Sequence, residues 1–305
     1  MKIKNISLAL AFVVGLTSFA VNAKADQMLY SADYYRGNIY KYASDGTESV
    51  FASGLQEPAA LSFDRAGNLF TLDYIRGKIY KYTSTGTQSL FASDLSFGTQ
   101  GGIAFDSSNN LYVSDENSGN LYKYATDGSR TVFATGISNT AGLAFDGSGN
   151  LFVSDISLGN IYKYTSDGTK STFASGLTSP LGLGFNNEGS LFAANEAQGV
   201  IYKFSTNGSQ SVFATGLVHP FSSTLAFDSA DNLFVGDNGS NAYPYNDGAI
   251  YEYTPSGTRT TFVYGVVHSA DLAFGPASVP EPSTYALFGL GALALVIAAR
   301  RRRTA

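Results

Sequence analysis

Gly142-Leu143-Ala144-Phe145-Asp146, Gly149-Asn150-Leu151-Phe152-Val153-Ser154-Asp155 and Gly159-Asn160-Ile161-Tyr162-Lys163-Tyr164 follow one another with only short connections between them. The apolar runs are brief, rich in aromatic and β-branched residues, and bounded by Gly, Asn, Asp and Ser, the pattern of strands joined by tight turns. A second copy reads Leu181-Gly182-Leu183-Gly184-Phe185, Leu191-Phe192-Ala193-Ala194, Val200-Ile201-Tyr202-Lys203-Phe204 and Ser211-Val212-Phe213-Ala214, which adds a fourth run. None has a helical period, so each copy reads as a four-stranded antiparallel sheet.

The same unit recurs along the chain. Tyr40, Tyr80, Tyr122, Tyr162, Tyr202 and Tyr251 fall in register at spacings of 40, 42, 40, 40 and 49, and Phe51, Phe91, Phe133, Phe173, Phe213 and Phe262 come after them at the same spacings. Repeats of about 42 residues with four strands each predict an all-β fold, a six-bladed β-propeller. A two-layer sandwich would not require six equal units. The first copy enters at Met28-Leu29-Tyr30-Ser31-Ala32-Asp33, which corresponds to a second strand, while Asp271-Leu272-Ala273-Phe274 is an innermost strand with no blade of its own. Pairing the two completes a blade and removes an exposed edge.

The phrasing of residues 142–164 resembles NHL-type repeats, and the resemblance extends over residues 28–275. It implies a six-bladed propeller; that family spans binding modules and a few enzymes, so the fold fixes no function.

The two ends read differently from the middle. Lys2 and Lys4 precede an apolar run from Ile6 to Val21, and small residues at Ala23 and Ala25 offer cleavage points, so residues 1–25 read as a secretory signal peptide. Residues 26–277 are the propeller. Residues 278–305 hold Pro280-Glu281-Pro282, an apolar stretch from Tyr285 to Ala299, and Arg300, Arg301, Arg302 and Arg303. A helix of that stretch would rise only about 22 Å, short of the roughly 30 Å hydrocarbon core, which suits transient inner-membrane association with the Arg end in the cytoplasm. This tail resembles the PEP-CTERM sorting signal, with Tyr285 where that family usually has Trp. The resemblance implies an exosortase-type membrane protease as partner, removal of the tail, and delivery to the cell surface, outer membrane or extracellular matrix of a Gram-negative bacterium that makes exopolysaccharide.

Composition narrows the chemistry. The absence of Cys excludes a disulfide scaffold, thiolate catalysis and Cys-ligated metal, and two His leave little room for a His-based site. Between Asp26 and Val279 stand 12 basic and 23 acidic residues, a net charge of −11 that repels phosphate backbones and makes nucleic acid an unsuitable partner.

In a propeller the loops from second to third strand share one face with those from an outer strand to the next innermost strand. Asp33, Asp73, Asp115, Asp155, Asn195 and Asp237 stand at the second-strand exits, and their repetition points to turn capping rather than catalysis. The residues immediately after these acids differ from copy to copy. Tyr34, Tyr35 and Tyr74, joined by Tyr243 and Tyr245 with Asn241 from the longest loop, are candidates for an aromatic platform on which a sugar stacks. Near the axis, Glu57, Gln100, Asn139, Ser179, His219, His268 and Asp271 form a second candidate set. The repeat phrasing also resembles gluconolactonase-like and virginiamycin B lyase-like propellers, which implies an axial divalent metal or a His base. No ligand set falls at matching positions here. On the opposite face, Asp64 to Asn68, Asp106 to Asn110, Asp146 to Asn150 and Asp228 to Asn232 read as tight turns and lack the Asp-x-Asp-x-Asp-Gly spacing of a calcium loop.

The sequence thus leads to an exported surface or matrix binding protein without catalysis, with polysaccharide first and a surface protein second as ligand. No cofactor is expected, a divalent ion such as calcium being the one candidate. The alternatives are a metal-dependent lactonase or lyase at the axis and a structural matrix protein.

Overall fold

Each copy's four runs form one antiparallel sheet, ordered innermost to outermost as in the chain, with a single exception that closes the ring. The structure, a computed structural model, describes residues 27–93, 95, 101–137, 139–220, 225–240, 247–266 and 268–276. Blade 2 comprises Pro58–Phe63, Leu69–Asp73, Lys78–Tyr82 and Gln88–Ala92. Blade 3 comprises Ile103–Phe105, Leu111–Asp115, Asn120–Tyr124 and Arg130–Thr135, and blade 4 Thr140–Phe145, Leu151–Asp155, Asn160–Tyr164 and Lys170–Ala174. Blade 5 comprises Pro180–Phe185, Leu191–Asn195, Val200–Phe204 and Gln210–Ala214, and blade 6 Ala226–Phe227, Leu233–Asp237, Gly248–Tyr253 and Arg259–Val266. Blade 1 is the composite: Ser269–Phe274 pairs with Leu29–Asp33, followed by Asn38–Tyr42 and Glu48–Ala52. The expected signal peptide and the apolar segment and Arg cluster of the tail lie outside the described residues, among which no helix is long and apolar enough to cross a membrane.

The closure follows the internal pairings of innermost with second strand, including a register shift beside the exit acid. Leu29 faces Phe274, Tyr30 faces Ala273, Ser31 faces Leu272 and Ala32 faces Asp271. The Ser31 and Ser269 hydroxyls lie 3.0 Å apart across it. Asp271 extends the seam to the next blade, its Oδ2 accepting the backbone N–H of Leu61 at 2.7 Å.

Aromatic rings join every blade to its neighbour. In each copy the second-strand ring stands edge-on between the outer-strand Phe of its own blade and the innermost-strand Phe of the next. Phe152 meets Phe173 and Phe185 at 5.0 Å each, and Phe70 meets Phe91 at 5.1 Å and Phe105 at 4.9 Å. At the seam, Phe234 meets Phe262 of its own blade at 5.1 Å and Phe274 of blade 1 at 5.0 Å. T-shaped pairs contribute about 0.5–1.5 kcal/mol each beyond burial. The apolar core is divided in the same way: Leu29, Tyr42, Phe234, Ile250 and Leu272 form one cluster across blades 6 and 1, and the other boundaries have their equivalents.

The turn face is built from Asx geometry. Both oxygens of Asp64, Asp106, Asp146 and Asp228 accept hydrogen bonds from the Asn four residues on, its backbone N–H at 2.8–2.9 Å and its side-chain amide at 2.7–2.9 Å. Asn109 and Asp231 occupy left-handed positions (φ +66° and +62°) where other copies carry Gly67, Gly149 and Gly189. Each uses its side chain to accept a backbone N–H from the preceding blade's turn, Arg65 and Asn187 respectively, at 3.0 Å.

Leu272 is fully buried in the closing strand and Leu158 is 60% exposed in a loop. Leu272→Ala is expected to lower unfolding free energy by about 2–5 kcal/mol, and Leu158→Ala by no more than about 0.5 kcal/mol. Guanidinium denaturation of both variants checks this; equal effects would mean that the seam carries no special share of stability.

Candidate functional site

The acids at the second-strand exits are buried and consumed by structure. Asp33, Asp73, Asp115 and Asp155 each accept, through Oδ1, the backbone N–H three residues on at 2.9–3.2 Å. Asp73 also accepts from Gln56, and Asp237 from Val218, His219 and Gly239, so the same carboxylates hold the adjoining loops. Burial is the leading influence on Asp33 and raises its pKa, against the lowering effect of the Arg36 backbone and charge. The turn they cap requires glycine where it closes: at Gly159 φ is +65°, and a Cβ there would lie 2.1 Å from the Leu177 carbonyl oxygen.

The loops before the innermost strands place His268, Glu57, Asn139, Ser179 and His219 at one repeated position. Each offers its backbone carbonyl to the N–H of the residue just after the buried acid or amide: Tyr34 to His268 (3.2 Å), Tyr74 to Glu57 (3.2 Å), Ile156 to Asn139 (2.8 Å), Glu196 to Ser179 (3.1 Å) and Asn238 to His219 (2.9 Å). The backbone role is constant and the side chains differ. Glu57 and Ser179 adopt left-handed φ of +58° and +63°, a conformation uncommon for residues other than glycine. His219 is held through Nδ1, 2.8 Å from the Gly239 carbonyl oxygen, and Asp271 is buried in the closing strand against Leu61 and Leu272. Among the described residues no group of three His, Asp or Glu is arranged to hold a metal ion. The inner end of the channel on the turn side is a cavity of about 330 Å³ lined by apolar residues such as Leu61, Ile103, Leu143, Leu183 and Leu272.

Of the aromatic candidates, the structure brings Tyr34, Tyr35 and Tyr74 together and adds His268. Ring centroids are 5.5 Å apart for Tyr34 and Tyr35, 5.9 Å for Tyr34 and Tyr74, 5.5 Å for Tyr34 and His268, and 4.6 Å for Tyr35 and His268. Tyr35 is 59% exposed, whereas Tyr34 and Tyr74 are half-buried. Burial first, then a hydrogen bond to the Glu57 carboxylate, raises the Tyr34 hydroxyl far above its ordinary range. Burial also raises Tyr74, with the charges of Glu116 and Glu57 acting in the same direction. The result is an aromatic patch edged by carboxylates across blades 1 to 3. Tyr243, Tyr245, Asn241 and Gln100 lie outside the described residues. Sequence reasoning assigned His268 to the axis and missed its contact with Tyr34 and Tyr35, which ring closure alone creates.

Residues 278–303 match the family model described as the PEP-CTERM protein-sorting motif. The chain therefore carries Pro280-Glu281-Pro282 and the Arg300 to Arg303 cluster in the setting of a signal processed by exosortase, a membrane protein, and is an exported protein handled at the membrane. No curated protein matches the sequence significantly. Among solved structures the chain is similar to one in a nidogen/laminin complex, at 18% identity and TM-score 0.72, with 83% of this chain and 100% of that one covered. It is also similar to virginiamycin B lyase from Staphylococcus aureus, at 12% identity and TM-score 0.59 over 82% of this chain and 87% of that one. A streptogramin B lyase is similar at 13% identity and TM-score 0.54, covering 77% and 72%. At such identities the likeness is one of fold.

Burial lowers the His268 pKa to about 4, against 6.5 for the free side chain. Between those values the unfolded chain binds the extra proton, so stability is full above about pH 6.5 and declines as pH falls toward 4. The decline attributable to this residue is about 2–3 kcal/mol. Denaturation of the protein and of His268→Gln at pH 7 and 4.5 isolates it; the variant should lose less stability on acidification, and parallel losses would contradict the assignment.

Proposed function

We propose that this exported propeller is a non-catalytic binding protein that recognises a polysaccharide of the cell surface or matrix through its loop-rich face. The observation that carries the reading is the patch of Tyr34, Tyr35, Tyr74 and His268, with Tyr35 open to solvent and Glu57 at its edge. Exposed tyrosine rings supply flat apolar area at low entropic cost, and carboxylates beside them accept from hydroxyl groups. Repetition supports the same reading: in the five copies where these loop positions are described the backbone is fixed by one hydrogen bond, while the side chains there differ from copy to copy. The excess of acidic residues favours a neutral or amino-substituted glycan over a uronate polymer. Tyr243, Tyr245 and Asn241 would extend the surface from blade 6. A surface protein is the second ligand class.

A glycan array probed with the exported protein should show saturable binding to neutral or amino-substituted polysaccharides. Tyr35→Ala is expected to weaken it at least tenfold, about 1.4 kcal/mol, with the unfolding midpoint unchanged. Binding that ignores Tyr35→Ala would remove the platform. Retention by uronate polymers alone would overturn the ligand class.

A further inference from the structure

Both ends of the propeller leave from the same face. Leu29–Asp33 runs from the turn face to the loop-rich face and its partner Ser269–Phe274 runs the opposite way, so the chain before Leu29 and the chain after Phe274 start side by side on the turn face. One step beyond the paired strands, the Gly275 N–H donates to the Met28 carbonyl at 2.9 Å. From there the two ends part. Gln27 turns toward blade 6, where its Oε1 accepts from the Ser229 N–H at 2.9 Å. Pro276 turns toward blade 2 and lies against the hairpin from Asp64 to Asn68, where a Cβ on Gly67 would stand 3.0 Å from the Pro276 Cγ. Both exits are central: Leu29 and Phe274 belong to the two innermost strands of blade 1, and Phe274 also lines the axial cavity.

Each end leads to a segment with a membrane address. Upstream is the apolar run from Ile6 to Val21 of the expected signal peptide, and downstream the sorting signal matched over residues 278–303, whose apolar stretch begins at Tyr285. The connections are short. Residues 277–284 span at most about 30 Å when fully extended, and residues 22–26 span less. For the loop-rich face to meet a bilayer, the chain from Pro276 would have to run outward across a blade and then along its outer strand. Three strand spacings take about 14 Å, and a five-residue outer strand such as Glu48–Ala52 takes about 17 Å more. Turns and loops at both ends of the strand come on top, so the reach is exhausted before the far face is cleared. The turn face meets no such obstacle. Adhesion is not what would hold it there, because exposed Asp45, Asp127 and Asp167 give it negative charge that an anionic lipid surface repels.

We propose that, while its ends hold it at the membrane, the propeller stands with its turn face toward the lipid surface and its loop-rich face outward, an orientation set by the short connections at Gln27 and Pro276. The inference rests on the handling of the tail at the membrane and is independent of what the tyrosine patch binds. Tyr34, Tyr35 and Tyr74 then point away from the lipid before the tail is removed, so a ligand can be met in the membrane-held state. The adjacency of Met28 and Gly275 also lets the ring close while both ends are still at the membrane, since neither has to pass around the propeller to reach it.

The absence of Cys allows one label at a time. Ser166→Cys and Leu158→Cys, both at exposed positions, place a donor fluorophore at the turn-face and loop-face ends of the same strand, Asn160–Tyr164. The full chain is reconstituted onto preformed vesicles of phosphatidylethanolamine and phosphatidylglycerol that carry a headgroup-labelled acceptor lipid. It should float with the vesicles, and energy transfer from position 166 should be at least twofold more efficient than from position 158. Long flexible Gly/Ser linkers inserted after both Asp26 and Ala277 should abolish that difference. Equal transfer from the two positions, greater transfer from position 158, or failure of the full chain to float overturns the orientation. A difference that survives the linkers overturns the short connections as its cause.

Discussion

Everything in this ring depends on an aromatic wedge between blades. A four-stranded sheet of this size cannot bury both faces by itself, and its second-strand ring would be half wet in isolation. The chain solves this by making that ring the shared property of two blades, as Tyr112 shows between Phe133 in its own sheet and Phe145 in the next, at 5.0 Å each. Edge-on contacts satisfy the quadrupoles of all three rings and set the angle at which one sheet meets the next. Six such boundaries return to the start, and the last sets Phe234 of blade 6 against Phe274, Leu29 and Tyr42 of blade 1, the blade built from both ends of the described chain.

A ring held in this way needs no covalent closure. The chain has no cysteine, yet it is an exported protein, and the pairing of Leu29–Asp33 with Ser269–Phe274 does for it what a disulfide does in smaller exported domains. The closed loop formed by that pairing spans nearly the whole propeller, and Asp271 reaches beyond its own blade to Leu61, so that the seam is tied to two neighbours. The outer strands remain as edges, where each carries a bulge beside the same tyrosine register, as at Ile39/Tyr40 and Ile161/Tyr162, which twists the edge away from straight pairing with another chain.

The blade count and the structural use of the exit acids were legible in the sequence because the unit is written six times, and the composite blade because the first copy lacks an innermost strand that is left over at the end: periodicity turns a weak strand signal into a strong one. The turn acids were legible for the same reason, since Asp146 and Asn150 bond to each other within five residues. What was not legible is what depends on two distant copies at once. His268 meets Tyr34 and Tyr35 only because the ring closes, and no local pattern announces a contact over that separation. The repeated backbone bond that unites His268, Glu57, Asn139, Ser179 and His219 was also hidden, because its members share no side-chain chemistry and only their carbonyls act.

Repetition also separates what is free to vary from what is not. On the turn face the positions are locked, since turn acids such as Asp146 bond within their own hairpin, lysines such as Lys163 stand over their own blade's second-strand ring, and that ring packs against the next blade. On the loop-rich face the opposite holds. Buried Asp33, Asp73, Asp115 and Asp155 fix the turns, one carbonyl fixes the adjoining loop in each of the five copies where it is described, and the side chains next in line differ, tyrosine in blades 1 and 2, glutamate in blades 3 and 5, isoleucine in blade 4. The backbone bonds that hold these loops do not depend on side-chain identity, so different residues can accumulate on one side of a symmetric scaffold. The clustering of Tyr34, Tyr35, Tyr74 and His268 in adjacent blades is such an accumulation, and its asymmetry is what a ring of equal copies would not produce from folding requirements alone.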